Sequence, residues 1–177
     1  MKKKIAIIAG GDSSEYEVSL RSAAGIYSFL DKEKYDTTIV RMRGNDWQAL
    51  PNINPLQDDL LQAGAPIDKN DFSYIHNGQK HHFDFAYITI HGTPGENGVL
   101  QGYLDMLRIP YSCCGVLAAA LSFNKYACNH YLSSFGIQTA KSILLRAGAP
   151  IPSAQDIVDE VGLPCFIKSN VGGSSFG

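Results

Sequence analysis

A short apolar run that ends in two glycines constrains the fold of this 177-residue chain more than any other feature. Residues 5–9 carry no polar side chain, and Gly10 and Gly11 follow them directly. Such a run is typical of a strand buried on both faces, as in a parallel sheet. Residues 12–15 then resemble a helix start, because small oxygen-bearing side chains precede a carboxylate. The pattern predicts a strand, a glycine turn and a helix.

The next segments complete the pattern of a βαβ unit. Apolar side chains recur at helical spacing over residues 18–30, and the stretch 37–42 is rich in β-branched residues, which favours a strand. A strand, a helix and a parallel strand form a right-handed crossover in nearly all proteins. A further apolar run at residues 85–90 ends at His91 and predicts the next buried strand.

Two short helices close this first unit. Periodicity predicts one helix over residues 99–107 and an Ala-rich one over 115–121, with an extended segment at 109–112 between them. Strands that alternate with helices indicate an α/β fold. The sequence therefore predicts a Rossmann-like domain with a parallel sheet over residues 1–122.

The middle of this unit carries weaker signals. Residues 44–70 contain three prolines with several Asn and Asp, and they predict an irregular loop with at most a short helix near 56–62. Residues 72–83 differ, because two strand-like runs flank Asn77-Gly78, the strongest short signal for a type I′ turn. We expect this hairpin to decorate an edge of the sheet.

A second pattern begins after residue 122. Helices are predicted over residues 124–135 and 153–161, and strands over 142–146 and 164–168. A glycine- and serine-rich stretch follows at 171–177, and a loop of this kind after a strand normally leads into further structure. We therefore expect residues 123–177 to be the incomplete start of a second domain.

Charge and composition exclude several classes of protein. Lys and Arg total 15 and Asp and Glu total 17, and this net charge of −2 argues against a dedicated nucleic-acid-binding protein. The 45% of apolar residues is ordinary for a soluble globular chain. No run of 18 apolar residues exists, so we expect no membrane partner and a cytoplasmic protein. The four cysteines form no C-x-x-C pair, so free thiols are expected.

Glu15 and His91 are the first candidate site residues. Each follows a predicted buried strand, and parallel strands place their carboxyl ends at one edge of the sheet, where open α/β sheets bind ligands. A carboxylate at this turn suits a ligand ammonium group. Taken alone, Glu15 could instead complement the helix dipole, and His91 could be satisfied within a tight glycine-rich loop.

Lys125 and Lys168 flank the second pattern. Lys168 ends an apolar run and is followed by the glycine-serine stretch, whose N–H and hydroxyl groups suit phosphates. The spacing is not that of a P-loop, and the residues alone also fit a surface lysine with a flexible tail.

Together these motifs resemble those of the D-alanine–D-alanine ligases, a family with an ATP-grasp domain. GGDSSEYEVS at residues 10–19 is similar to their first signature, and HGTPGENGVLQG at 91–102 is similar to their second. Residues 109–125 resemble the segment that enters the ATP-grasp domain, and Lys168 with GSSFG at 173–177 resembles the lysine and glycine-rich loop. The resemblance implies an α/β first domain, followed here by the start of an ATP-grasp α+β domain.

The resemblance also implies a two-step ligation for peptidoglycan synthesis. ATP phosphorylates the carboxylate of a first D-alanine, and the amine of a second D-alanine displaces phosphate to give D-alanyl-D-alanine. Glu15 would hold the ammonium of the first D-alanine, and Val18 would pack on its methyl group. His91 would help to fix its carboxylate and Glu15.

Further roles follow from the same resemblance. Ser174 would join Glu15 in the catalytic hydrogen-bonded group under a lid over the second substrate. Lys125, Lys168 and Ser175 would bind ATP. Mg²⁺ or Mn²⁺ would accompany ATP, with no metal ligand in this chain and all of them expected beyond residue 177. We also expect a homodimer, and we expect the chain alone to be inactive although residues 1–122 fold.

Other functions remain open on the sequence. A ligase of this kind could take D-lactate or D-serine as its second substrate. Another ATP-grasp carboxylate–amine ligase is disfavoured by the joint presence of Glu15 and His91-Gly92. A non-catalytic nucleotide-binding or interaction module would bind at the first glycine turn without D-alanine, but the G-x-G-x-x-G pattern is absent.

Overall fold

The computed structural model describes residues 2–172 and is built on a seven-stranded mixed sheet. Its strands are β1 (Lys3–Gly10), β2 (Tyr35–Arg43), β3 (Asp46–Leu50), β4 (Ala65–Asp68), β5 (Ser73–His76), β6 (Gln79–His81) and β7 (Phe85–Ile88). Their order across the sheet is β6-β5-β4-β3-β2-β1-β7. The predicted α/β class is confirmed.

The helices lie mostly after the sheet in the chain. They are α1 (Tyr16–Phe29), α2 (Val99–Met106), α3 (Val116–Phe123), α4 (Lys125–Ser134) and α5 (Ala154–Val161). Among the described residues, no helix has the length and apolar character needed to cross a membrane.

The parallel part of the sheet is the part that the sequence predicted best. β1 pairs in parallel with β2 on one side and with β7 on the other. Tyr111 adds a single parallel bridge to Ala86, which confirms an extended segment there. Ile5, Ile7 and Ala9 face one hydrophobic core and Ala6 and Ile8 face the other, so β1 is buried on both faces as predicted.

Each core is closed by one helix. On one face, Leu20 and Ala23 of α1 pack against β1 and β2. On the other face, Leu100 and Leu104 of α2 pack against the strands and are almost completely buried. In this α-β-α sandwich, loops over residues 11–15 and 89–98 follow the carboxyl ends of β1 and β7.

The prediction of an irregular loop over residues 44–70 was wrong for two stretches. β3 and β4 are strands, and they extend the sheet antiparallel from β2. Trp47 on β3 makes edge-to-face contacts with Phe72 and Tyr103, and this packing holds the stretch in the sheet despite its prolines. The residues between the two strands form turns rather than a helix.

The predicted hairpin is confirmed and forms one edge of the sheet. β5 and β6 pair antiparallel, with Ile75 opposite Lys80. Asn77 and Gly78 both have positive φ, at 50° and 72°, as a type I′ turn requires. Lys80 also pairs with Asp71 at 2.6 Å, which closes the base of the hairpin.

The second pattern is only partly regular. α4 and α5 form as predicted, and α5 begins with a capping box between Ser153 and Asp156. The strands predicted over residues 142–146 and 164–168 do not form. A strand needs a hydrogen-bonded neighbour, and the described residues provide none here. Phe166 and Ile167 accordingly stand 85% and 94% exposed.

Candidate functional site

Two glycines at the end of β1 open the candidate site. Gly10 and Gly11 have φ of 98° and 92°, a region that side chains rarely adopt. A Cβ on Gly10 would also lie 2.3 Å from the carbonyl oxygen of Met42 on the neighbouring strand. Only glycine therefore allows the chain to turn so tightly from β1 into α1.

A buried serine fixes α1 against the end of β7. Ser19 is completely buried, and its hydroxyl accepts the N–H of Gly10 at 2.9 Å. The same hydroxyl donates to the carbonyl of Thr89 at 2.9 Å, just beyond β7. One side chain thus joins the ends of both parallel strands to the helix that carries Glu15.

A second serine joins the two sequence motifs directly. The Ser13 hydroxyl donates to the carbonyl of His91 at 2.7 Å and accepts the backbone N–H of Glu15 at 3.1 Å. Glu15 is half-buried at the N-cap of α1, and the cap has no side-chain hydrogen bond. The structure therefore brings the predicted residues Glu15 and His91 to one place, through Ser13.

The loop after His91 is tied back on itself and to the first turn. The carboxylate of Glu96 accepts the N–H of Gly92 at 2.7 Å, and the N–H of Asp12 donates to the carbonyl of Thr93 at 2.9 Å. A Cβ on Gly92 would lie 2.9 Å from the Cβ of Ser13. The two turns pack too closely for any larger residue.

His91 carries an unpaired nitrogen at this point. Its Nε2 is buried and has no hydrogen-bond partner among residues 2–172. Leaving a buried polar atom unpaired costs about 1–3 kcal/mol, so native structures seldom tolerate it without a further partner. The Nε2 of His91 can therefore pair with a polar group bound at this site.

Val18 lies on the same face of α1 as Glu15, because it is three residues further along the helix. Its side chain is 40% exposed. The position leaves it open to contact an apolar group held near Glu15.

A cleft of about 440 Å³ lies beside the loop after His91. It is lined by Gly95, Glu96, Gln101, Cys113, Cys114, Ala119, Ser122, Phe123, Lys125 and Gly172. The cleft thus lies between the motif at residues 91–102 and the segment that begins after residue 122.

Asn170 holds the N-terminus of α4 at this cleft. The N–H of Lys125 donates to the Asn170 carbonyl at 3.0 Å, and the N–H of Tyr126 donates to the Asn170 side-chain oxygen at 2.9 Å. The Lys125 ammonium group lies 3.4 Å from the carbonyl of Gly172. Lys125 is therefore placed at the start of the glycine-serine stretch.

Lys168 is not brought to the same place by the described residues. It is exposed, and its ammonium group lies 5.6 Å from the centre of the Phe166 ring. Ser174 and Ser175 lie outside the described residues.

The cysteines of the described residues are free thiols, as expected. Cys113 is the most constrained of them, because the side-chain amide of Gln101 contacts its sulfur at 3.2 Å. Burial raises the pKa of the Cys113 thiol, although that hydrogen bond acts in the opposite direction. Residues 2–172 contain no group of three or more His, Cys, Asp or Glu side chains arranged to hold a metal ion.

Sequence reasoning missed the residues that organise this site. Ser13 hydrogen-bonds the backbone of Glu15 and His91, and the Asn170 carbonyl accepts the N–H of Lys125. Ser19 joins Gly10 to Thr89, and Gln101 holds Gly95 in the loop after His91. Ser13 and Ser19 lie inside the first motif, so the residues were visible in the sequence, but their partners His91 and Thr89, which follow β7, were not. Gln101 stands at a core-facing position of α2, and a polar residue in an apolar stripe was the available signal.

Comparison with known proteins now identifies the family. The family described as the D-ala D-ala ligase N-terminus matches residues 4–114. The chain belongs to the D-alanine–D-alanine ligase family. A D-alanine–D-alanine ligase from Bacteroides fragilis is 59% identical over 177 residues, and the chain spans 52% of that relative's length.

Solved structures of D-alanine–D-alanine ligases are similar as well. The enzyme from Coxiella burnetii superposes with a TM-score of 0.77 at 26% identity, over 89% of this chain and 50% of that one. The Bacillus anthracis ligase complexed with ATP gives a TM-score of 0.69 at 26% identity, over 96% of this chain and 48% of that one. The chain thus spans about half the length of the ligases it matches.

Proposed function

We propose that this chain supplies the first-substrate site of an ATP-dependent D-alanine–D-alanine ligase. One observation carries the proposal: the Ser13 hydroxyl joins the backbone of Glu15 to the backbone of His91 at the carboxyl edge of the sheet, and the Nε2 of His91 is buried without a partner among residues 2–172. In the reaction, ATP phosphorylates the carboxylate of a first D-alanine. The amine of a second D-alanine attacks the acyl phosphate and releases phosphate, which gives D-alanyl-D-alanine for peptidoglycan.

The first D-alanine would use three residues of this edge. Glu15 would pair with its ammonium group, since a carboxylate is the natural partner of a cation in a partly buried site. His91 would hydrogen-bond its carboxylate through Nε2, which supplies the missing partner. Val18 would contact its methyl group from the same face of α1.

ATP would bind on the side of the cleft that holds Lys125. A lysine at the start of a glycine-serine stretch can neutralise charge that develops during phosphoryl transfer, which depends mainly on positioning and electrostatics. The resemblance of the sequence motifs proposes Lys168 and Ser175 for the same ligand, and Ser174 for the group that links Glu15 to the second substrate. Binding at Lys168 requires a movement or a further element, because Lys168 is exposed here.

Mg²⁺ or Mn²⁺ would accompany ATP, although the described residues do not fit a metal site. We assign the metal no ligand among the described residues.

The chain would divide near residue 122. Among residues 2–172, every fully buried hydrophobic side chain lies at or before Ala119. Residues 1–122 would thus carry their own core as a substrate-binding domain. Residues 123–177 would begin the ATP-grasp domain.

We further propose that the ligase works in the cytoplasm as a homodimer. The nucleotide substrate favours the cytoplasm. The dimer rests on the family alone, and light scattering of the purified ligase at two concentrations tests it. A monomer mass at both concentrations would contradict it.

Phosphate release from ATP tests the function directly. A ligase with these residues joined to the remaining half seen in its relatives should release phosphate only when D-alanine and Mg²⁺ are both present. Residues 1–177 alone should release none. Release without D-alanine, or no release by the folded longer protein, would contradict the proposal. Offering D-serine or D-lactate beside D-alanine would identify the second substrate from the product mass.

A further inference from the structure

Gln101 carries a buried side-chain amide that contacts two segments outside its own helix. It lies in α2 and is only 1% exposed, although glutamine side chains are mostly exposed in proteins. Its Nε2 donates to the carbonyl of Gly95 at 2.5 Å and contacts the sulfur of Cys113 at 3.2 Å. One side chain therefore spans the loop after His91 and the segment that leads to α3.

The orientation of this amide follows from its partner. The Gly95 carbonyl can only accept a hydrogen bond, so the NH₂ group must face it and the oxygen must face away. That oxygen, Oε1, is buried and unpaired among the described residues. A methionine would fill the same space without an unpaired oxygen. Packing alone therefore does not explain why an amide stands here.

The Gln101 amide holds the loop over residues 91–98, which includes the candidate site residue His91. Gly95 is pressed against the end of the sheet, since a Cβ on it would lie 2.6 Å from the Cβ of Ile90. The next residue, Glu96, fixes the N–H of Gly92 with its carboxylate. Gly92 directly follows His91. A displacement of the Gly95 backbone would therefore also displace His91, because Glu96 and Gly92 connect the two residues.

We propose that Gln101 is a positioning residue for the first-substrate site, a role that rests on the function proposed above. It does not touch the substrate. It fixes the position of the loop over residues 91–98 relative to α2, because it anchors Gly95 to α2 and to the segment that contains Cys113. The ligand class that depends on it is the α-amino acid held by Glu15 and His91, not the nucleotide.

Steady-state kinetics of the longer ligase test the role. Gln101→Met removes both hydrogen bonds at similar volume, and Leu104→Met alters the same helix without touching the loop. Gln101→Met should raise the apparent KM for the first D-alanine by about 10-fold or more, since small misplacements in a site are costly. Its KM for ATP should stay within about twofold. Leu104→Met should change neither constant. Equal effects of both variants would overturn the proposal.

A carboxyl at the same position separates hydrogen bonding from shape. Gln101→Glu keeps the length of the side chain, but an ionised carboxylate cannot donate to the Gly95 carbonyl. A protonated carboxyl can. The activity of Gln101→Glu relative to Gln101→Met should therefore rise as the pH falls. A constant ratio across the pH range in which both remain folded would overturn the proposal.

Alkylation of Cys113 gives a readout that does not depend on the reaction. With iodoacetamide and peptide mass spectrometry, Gln101→Met should speed alkylation of Cys113 by about 5-fold. Cys113 and Cys165 are both exposed, and Cys165, which no hydrogen bond to Gln101 holds, serves as the internal reference. An unchanged rate would overturn the anchoring of this segment. If wild-type ligase shows no D-alanine-dependent phosphate release, the proposed function fails, and the alkylation rates still decide whether Gln101 holds the segment.

Discussion

The hydroxyl of Ser13 donates a hydrogen bond to the backbone carbonyl of His91 at 2.7 Å, although 78 residues separate them in the chain. The same oxygen receives the N–H of Glu15. This single atom therefore joins the backbone at Glu15, proposed to bind the substrate ammonium, to the backbone at His91, proposed to bind the substrate carboxylate.

Replacing Ser13 should loosen that relationship. Ser13→Ala removes two hydrogen bonds at the site, each worth about 0.5–1.5 kcal/mol. The apparent KM of the ligase for the first D-alanine should rise between about 3- and 30-fold, while the KM for ATP stays constant. Ser14→Ala, at an exposed neighbour, is the control and should have no effect. An unchanged KM for Ser13→Ala would show that the two Ser13 hydrogen bonds do not contribute to binding of the first D-alanine.

Replacing Ser19 should act on stability. Ser19→Ala leaves the buried N–H of Gly10 and the carbonyl of Thr89 without their shared partner. Unpaired buried groups cost about 1–3 kcal/mol each, so the free energy of unfolding should fall by roughly 2–4 kcal/mol. Urea denaturation measures the change. Ser28→Ala, on the exposed part of the same helix, should lower it by less than about 0.5 kcal/mol. Equal losses would show that Ser19 has no special role.

Tyr103 should make the fold sensitive to alkaline pH. Burial raises the pKa of the Tyr103 hydroxyl to about 12, and this hydroxyl donates to the carbonyl of Lys69 at 2.8 Å. A folded pKa above the unfolded value of about 10 stabilises the fold fully below pH 10. That contribution is lost between pH 10 and 12, as the unfolded chain ionises first. Unfolding free energies measured from pH 9 to 12 should decline less steeply for Tyr103→Phe. Identical slopes would contradict the burial of this hydroxyl.

Lys168 should matter for ATP although it is exposed in this structure. Lys168→Ala in the longer ligase should raise the KM for ATP by about 10-fold or more, since a charged hydrogen bond is worth roughly 1.5–3 kcal/mol. Its dependence on D-alanine should stay near wild type. Lys141→Ala removes another exposed lysine and is the matched control. An ATP dependence like that of the control would show that Lys168 does not bind the nucleotide.

The parallel half of the fold was predictable because its signals are local. An apolar run that ends in two glycines identifies β1 regardless of context, and Asn77-Gly78 sets the hairpin turn on its own. β3 was not predictable in this way. Its place in the sheet depends on the contact of Trp47 with Tyr103, which lies 56 positions away in the sequence. The prolines near β3 gave the stronger local signal, and they led to the wrong prediction of an irregular loop.

The candidate site, like the fold, was only partly predictable from the sequence. Glu15 and His91 were found because each follows a buried strand, and parallel pairing requires their strand ends to meet. The serines and the amide that hold them were missed, since a hydrogen bond to a distant backbone carbonyl leaves no periodic trace. The predicted strands at residues 142–146 and 164–168 failed for a further reason. Their apolar side chains need a partner surface that the described residues do not supply.

Substrate affinity at Glu15 tests the central claim most directly. The measurement is the apparent KM of the longer ligase for the first D-alanine, with Glu15→Gln compared with Glu17→Gln in the same turn of α1. Glu17 is exposed, so its variant controls for lost charge near the helix start. We predict a rise of about 10- to 100-fold for Glu15→Gln and less than about twofold for Glu17→Gln. An unchanged KM for Glu15→Gln, with the variant folded, would contradict a first-substrate site at Glu15 and His91.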